Sequence, residues 1–195
     1  MLQVTTHLGA TVTDLAYSDV LLIRQVQARQ QAAFHRLYER YLPRVYGLCP
    51  RLTGNRQLAE DATQEAFLLV WRRIDTFRGE SSFSTWLHSL TTNSTLGCLR
   101  KQKRWWQHLG DQEHFEAVVE QVEGSPATDI SPLLQLLPRL PERARLVFVL
   151  HAIEGYRQEQ VARLMGTSTG TVKAQFHKAS SQLKAWLGEA NGDDT

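Results

Sequence analysis

Between Trp105 and Pro138 the chain carries no lysine or arginine, while Asp111, Glu113, Glu116, Glu120, Glu123 and Asp129 all fall inside that segment. A stretch of one charge sign, punctuated by Gly124, Ser125 and Pro126, is poorly suited to packing as a domain of its own and reads as a tether. It divides the chain in two. On either side the balance reverses: Asp19 to Arg104 holds 14 Lys/Arg against 7 Asp/Glu, and Pro141 to Leu187 holds 7 against 3. The net charge of +2 conceals this segregation. Two cationic modules on an anionic tether point to a polyanionic partner. With 195 residues, 42% of them hydrophobic, the chain can bury one or two small cores.

Apolar periodicity makes both modules helical. Leu22, Ile23, Val26, Phe34, Leu37, Tyr38, Tyr41 and Val45 recur at steps of three and four, predicting helix from about Asp19 to Tyr46, bent or divided at Pro43. Thr53-Gly54-Asn55 is a turn signal. A second helix follows from about Gln57 to Ile74, with Ala59, Ala62, Ala66, Val70 and Ile74 inward. Asp61, Glu65, Leu68 and Arg72 fall on its opposite face, with Gln64 beside them. An acidic outer face carrying one leucine is either solvated decoration or a docking face for basic helices. Phe77 to Ser82 reads as a loop, and Ser82 or Ser84 caps a third helix reaching about Arg104. Phe83, Trp86, Leu87 and Leu90 form its buried side. Its end gathers Arg100, Lys101, Lys103 and Arg104 ahead of Trp105 and Trp106. Cations there complement the helix dipole, and next to aromatic rings they also suit a surface that tracks a single strand and stacks its bases.

Part of the tether, from Asp111 to Val122, has helical character, and Pro132, Pro138 and Pro141 punctuate the approach to the second module. There Leu146, Val147, Leu150 and Ile153 make one inward face of a helix that starts at Pro141 and ends at Gly155. Arg157 to Met165 is a short helix, Gly166 its turn, and Thr171 to about Leu187 a longer helix with Val172, Phe176, Ala179 and Leu183 inward. Lys173, Gln175, His177 and Lys178 point away from or flank that core side. A short helix, a glycine turn and a second helix with a polar outer face is the helix-turn-helix arrangement, which presents its second helix to the DNA major groove.

Other function classes lack their signatures. The seven histidines are dispersed, with no metal-ligand spacing, nucleophile elbow or phosphate loop, so neither an enzyme, a metal site nor a cofactor is expected. Cys49 and Cys98 stand alone and fit reduced thiols in a cytoplasm. Residues 1–18 lack the pattern of a signal peptide, and no apolar run approaches the ~20 residues of a membrane span.

These motifs, in this order and spacing, resemble the bacterial RNA polymerase sigma factors of the extracytoplasmic-function (ECF) subfamily over roughly residues 19 to 187. Ala59-Glu60-Asp61 with Gln64-Glu65, Phe67 and Trp71 resembles the polymerase-binding helix. Phe83-Ser84-Thr85-Trp86-Leu87 with Asn93, Leu96, Leu99 and Arg100 resembles the promoter-melting and −10 segment. Leu140-Pro141-Glu142-Arg143, Glu154-Gly155 and Gly170-Thr171-Val172-Lys173 resemble the −35 domain. The resemblance implies an all-α fold of two small helical domains joined by a flexible acidic linker, the second domain a helix-turn-helix. Its parts are a tail at 1–18, domain 2 at 19–106, the linker at 107–132, domain 4 at 133–188 and a tail at 189–195.

By the same resemblance, Asp61, Gln64, Glu65 and Leu68 dock on core polymerase. Phe77, Arg78, Ser82, Phe83, Trp86, Asn93, Arg100, Lys101, Lys103 and Arg104 meet the −10 element, where a non-template base is flipped into the loop between Phe77 and Phe83. Thr171, Lys173, Ala174, Gln175, His177 and Lys178 meet the −35 duplex, the lysines on phosphates and Gln175 on an adenine edge. The acidic linker threads toward the polymerase active-site and RNA-exit channels, and an anti-sigma protein is an expected further partner. Three departures bear on specificity: Gly97 replaces a common Asp, Thr91-Thr92 a small apolar pair, and Ala174-Gln175 a common Ser-Arg. The competing reading is a free-standing helix-turn-helix regulator, which leaves residues 59 to 104 without a role.

Overall fold

The computed structural model describes residues 12–108 and 132–190, and among them there is no strand. The helices are α1 (Val12–Gln27), α2 (Gln31–Thr53), α3 (Arg56–Arg73) and α4 (Phe83–His108), then α5 (Pro132–Leu136), α6 (Glu142–Phe148), α7 (Gln158–Met165) and α8 (Thr169–Ala190). Short 3₁₀ turns follow α3 and α5, and a π turn over Val149–Ile153 continues α6. The expected helix at 111–122, the linker and most of both tails lie outside the described residues.

Two expected boundaries are corrected. Residues 12–18 belong to α1 rather than to a tail. The first periodic stretch divides at Ala28–Gln30, where Arg29 takes a left-handed conformation (φ 60°), and not at Pro43. Helix α2 runs through both Pro43 and Pro50. Pro43 is exposed, so the Glu39 carbonyl that loses its intrahelical bond is turned toward water.

The first module packs α1 to α4 around Val26, Leu37, Val70, Ile74 and Leu87, all essentially solvent-free. The alanines of α3 set this geometry. Ala59, Ala62 and Ala66 have no exposed surface, so α2 and α4 approach α3 closely. Tyr38 on Phe67 and Tyr41 on Phe83 add ring contacts at 4.5 and 5.0 Å.

The second module packs α8 against α6 and α7 through Val147, Leu150, Val161, Val172, Ala179 and Leu183. Gly166 closes α7 in the left-handed conformation (φ 62°) that glycine adopts without penalty, and the Ser168 hydroxyl then caps α8 by accepting from the Thr171 N–H at 3.1 Å. This is the expected helix-turn-helix.

The two modules share a core. Leu48, Leu52, Leu58, Leu96 and Leu99 of the first are continuous with Leu137, Leu140, Ala144 and Leu146 of the second. Arg145 crosses this seam with its guanidinium buried: Nε donates to the Leu52 carbonyl at 3.2 Å, Nη2 to the Thr53 carbonyl at 2.6 Å, and Nη1 to the Leu140 carbonyl at 3.2 Å. Helix α2 ends at those first two carbonyls, where a cation complements the helix dipole and occupies acceptors that have no intrahelical donor.

Candidate nucleic-acid and protein interfaces

The acidic face begins with the cap of α3. The Asn55 side chain accepts from the Leu58 N–H at 2.8 Å, starting the helix in a register that turns Ala59, Ala62 and Ala66 inward. Asp61, Gln64 and Leu68 are thereby exposed, and Glu65 is half-buried. Leu68 keeps 48% of its surface in water, an exposed leucine within a carboxylate-bearing face. That combination suits a docking surface with an apolar anchor and a charged surround. Glu65 turns toward α4 and lines a groove between the two helices with Arg73, Trp86, Asn93 and Lys101.

The loop between α3 and α4 is held at its root. The Gln27 amide of α1 donates to the Ile74 and Phe77 carbonyls at 3.1 and 3.3 Å. Arg29 pairs with Asp75 and donates to the Trp71 carbonyl. Gly79 takes the positive φ (77°) that the loop reversal requires. Ser82 caps α4 by accepting from the Thr85 N–H at 3.1 Å. Together these leave an open cleft of about 460 Å³ lined by Asp75, Thr76, Phe77, Arg78, Glu80, Ser81 and Trp86. Phe77 and Trp86 are half-buried rings 5.7 Å apart, able to stack a base that leaves its duplex.

Phe83 lies on the buried side that the apolar stripe predicted, and not at the surface that the resemblance implied. It is only 5% exposed, and its ring packs against Tyr41, Phe77 and Trp86, so it supports the cleft from beneath and offers no face to a nucleic acid. The first helical position of α4 points into the core, which the period of the stripe already implied. Arg78 and Ser82 are exposed at the loop, and Asn93, Arg100, Lys101 and Arg104 are exposed along α4, with Lys103 half-buried. The Asn93 amide donates to the Ser89 carbonyl at 2.8 Å. Arg100 reaches across the seam to the Leu164 carbonyl at 3.4 Å. The side chains of Trp105 and Trp106 lie outside the described residues.

On α8, Lys173, Ala174, His177 and Lys178 are exposed and Thr171 and Gln175 half-buried, all on the first half of the helix. Their placement follows from packing on the other side. Val172 and Ala179 are fully buried, and Phe176 stacks on Phe148 at 5.9 Å and meets His151 edge-on at 4.9 Å.

Sequence reasoning missed a fourth cluster, at the seam. The Glu154 carboxylate lies 2.8 Å from His88 Nε2 through one oxygen and 3.1 Å from Arg51 Nη2 through the other. Tyr156 presents its hydroxyl to His88 Nδ1 at 3.3 Å and donates to Thr92 at 3.4 Å. Burial pushes the Glu154 carboxyl up, but the His88 hydrogen bond and the Arg51 and Arg44 charges outweigh it, so its pKa lies below the ordinary carboxylate value. Residues 51, 88 and 154 lie far apart in the chain, so no sequence period could mark them. Among the described residues no group of histidine, cysteine, aspartate and glutamate could hold a metal, and no helix is long and apolar enough to cross a membrane.

Comparison with known proteins gives these surfaces a context. The Sigma-70 region 2 family matches residues 37–105, and the Sigma-70 region 4 family residues 130–183. The ECF RNA polymerase sigma factor SigW of Bacillus subtilis is 30% identical over 181 residues, covering 85% of this chain and 94% of its own. The ECF RNA polymerase sigma factor SigE of Mycolicibacterium smegmatis is 32% identical over 169 residues, and the match covers 80% of this chain and 62% of that longer protein. A solved structure of the sigma factor RpoE from Bartonella quintana, in complex with the anti-sigma factor NepR, covers 80% of this chain and 96% of its own. Its TM-score of 0.53 at 24% identity shows a shared fold. With both regions matched in order and a relative aligned over nearly its whole length, the chain belongs to the extracytoplasmic-function subfamily of bacterial RNA polymerase sigma factors.

Proposed function

We propose that this sigma factor divides its work among three surfaces: α3 for core polymerase, the α3–α4 cleft with α4 for the −10 strand, and α8 for the −35 duplex. The observation that supports it best is that α3 presents Asp61 and Gln64 beside an exposed Leu68, and α8 presents Lys173, His177 and Lys178, each opposite a buried apolar stripe. Asp61, Gln64, Glu65 and Leu68 bind core polymerase, with Leu68 as the apolar anchor. A base leaving the duplex loses stacking worth a few kcal/mol, which stacking on Phe77 and Trp86 and edge contacts from Arg78 and Ser82 offset. Asn93, Arg100, Lys101, Lys103 and Arg104 carry the strand along α4, and Phe83 acts by supporting the cleft. Lys173 and Lys178 neutralise phosphates, while Thr171, Ala174, Gln175 and His177 face base edges. Gln175 suits adenine where an arginine would choose guanine.

In this reading residues 12–106 form domain 2 and residues 133–188 domain 4, joined by the acidic linker at 107–132. The chain is a non-catalytic specificity subunit that works without a cofactor in the cytoplasm. An anti-sigma protein restrains it, as the Bartonella quintana relative is bound by one. Run-off transcription from a randomised promoter library by bacterial core polymerase, with and without the chain, tests the whole assignment. Transcripts that depend on the chain and share two spaced elements are expected. Their absence, together with failure to co-elute with core, favours the free-standing helix-turn-helix regulator.

A further inference from the structure

The groove between α3 and α4 holds more polar groups than its own packing uses. It is open to solvent, has a volume of about 480 Å³, and is lined by Glu65, Arg73, Trp86, Asn93, Gly97 and Lys101 among others. Sites for small organic ligands span ~300–1,000 Å³. Among the described residues none of Glu65, Arg73 and Lys101 has an ion-pair partner. Asn93 gives its amide nitrogen to the Ser89 carbonyl, so its side-chain oxygen remains an acceptor. Ser94, 7% exposed in the same wall, has a hydroxyl with no hydrogen-bond partner. Gly97 sits in the interior of α4, where glycine is among the poorest helix formers, and its φ is not positive. A Cβ at this position meets nothing within 4 Å, so no close neighbour demands a glycine. The missing side chain leaves room in the groove.

We propose that the α3–α4 groove binds one unpaired nucleotide whose base carries an exocyclic amine, and that Gly97 keeps its place open. Arg73 and Lys101 meet the phosphate, Trp86 offers its ring to the base, and the Glu65 carboxylate accepts from the amine. Thymine fits worse, because its one edge N–H is flanked by two carbonyl oxygens that a carboxylate repels. Trp86 also borders the loop cleft beside Phe77, so a strand with one base in the cleft can lay another in the groove. Such a nucleotide has two sources, a separated DNA strand or a free mononucleotide. Use by the strand rests on the −10 reading above; the chemistry of the groove does not.

The test is fluorescence anisotropy of the full chain, without polymerase, on labelled single-stranded oligothymidine and on the same strand with one central cytosine or adenine. The wild type should bind the substituted strands about tenfold more tightly. Gly97→Leu fills the groove from a position where leucine favours the helix, so it should melt at or above the wild-type temperature and bind all three strands alike. Glu65→Gln should reduce the preference to about twofold, and with polymerase absent its place on α3 as a docking residue does not enter. Equal binding of the three strands by the wild type, or a preference that survives Gly97→Leu, overturns the site. Competition by cytidine and thymidine 5′-monophosphates at millimolar concentration separates the sources. Selective displacement by the cytidine nucleotide assigns the groove to a free nucleotide, and an intact preference without displacement assigns it to the strand. In transcription by the holoenzyme from the randomised library, Gly97→Leu should flatten the base preference at one unpaired position, and an unchanged preference overturns the use of the groove on promoters. If no transcript depends on the chain at all, the −10 reading fails while anisotropy still decides the groove.

Discussion

Gly54 and Arg145 show how much one position can carry. Gly54 ends α2 at φ 62°, donating its N–H to the Pro50 carbonyl at 2.8 Å, and the absent side chain is what admits the guanidinium. Gly54→Ala therefore incurs the ~1–2 kcal/mol of a left-handed non-glycine residue and displaces Arg145 as well. A urea melt should show a loss of about 2 kcal/mol or more, whereas Gly79→Ala, with open space around its Cβ, loses only the backbone part. Glu154 carries a pH dependence with a definite sign. The groups facing it are Arg51, Arg44 and His88, with Tyr156 behind the imidazole. Its pKa is depressed in the folded chain, so its contribution is complete above the ordinary carboxylate value and is lost as pH falls through the lowered one. Stability followed from pH 7 to 3 should fall less steeply in Glu154→Gln than in the wild type.

At the scale of elements, α3 and α8 follow one rule. Each buries small residues on one side, Ala62 and Ala66 in α3 and Val172 and Ala179 in α8, and thereby commits the other side to solvent. Because Asp61 and Gln64 are exposed opposite the core stripe of α3, Asp61→Arg with Gln64→Arg should abolish co-elution with core polymerase while the helical signal and unfolding midpoint stay within a few degrees of wild type. A folded double mutant that assembles normally would remove α3 from the interface. On α8, Lys178→Ala should weaken promoter binding about equally across sequences and lower the salt slope by roughly one unit. A loss confined to some sequences means that Lys178 reads bases.

At the scale of the molecule, one core cluster runs from Leu48 and Leu99 into Leu140 and Leu146, so the two modules should unfold together. Calorimetry of the full chain should give one transition whose calorimetric and van't Hoff enthalpies agree. Arg145→Ala, which leaves the Leu52 and Thr53 carbonyls without their donor, should separate it into two. Two transitions in the wild type would mean that the modules are stable independently and the seam adds little.

Much of this was legible in the residues. Apolar steps of three and four located α2, α3, α4 and α8, the Gly166 turn located the helix-turn-helix, and the opposite faces of those stripes located Asp61, Leu68, Lys173 and Lys178 as exposed. Such features are local: a helix repeats every 3.6 residues, so neighbours in sequence already determine which side is buried. Two things were not legible. Pro43 sits inside α2 because its face is turned to water, and Arg145 and Glu154 have partners 93 and 66 residues away, Leu52 and His88. The sequence by itself determined which helices form and which of their faces are charged. Only the tertiary structure decided that the two modules close on each other, because contacts between groups far apart in the chain depend on how finished helices pack and leave no period to read.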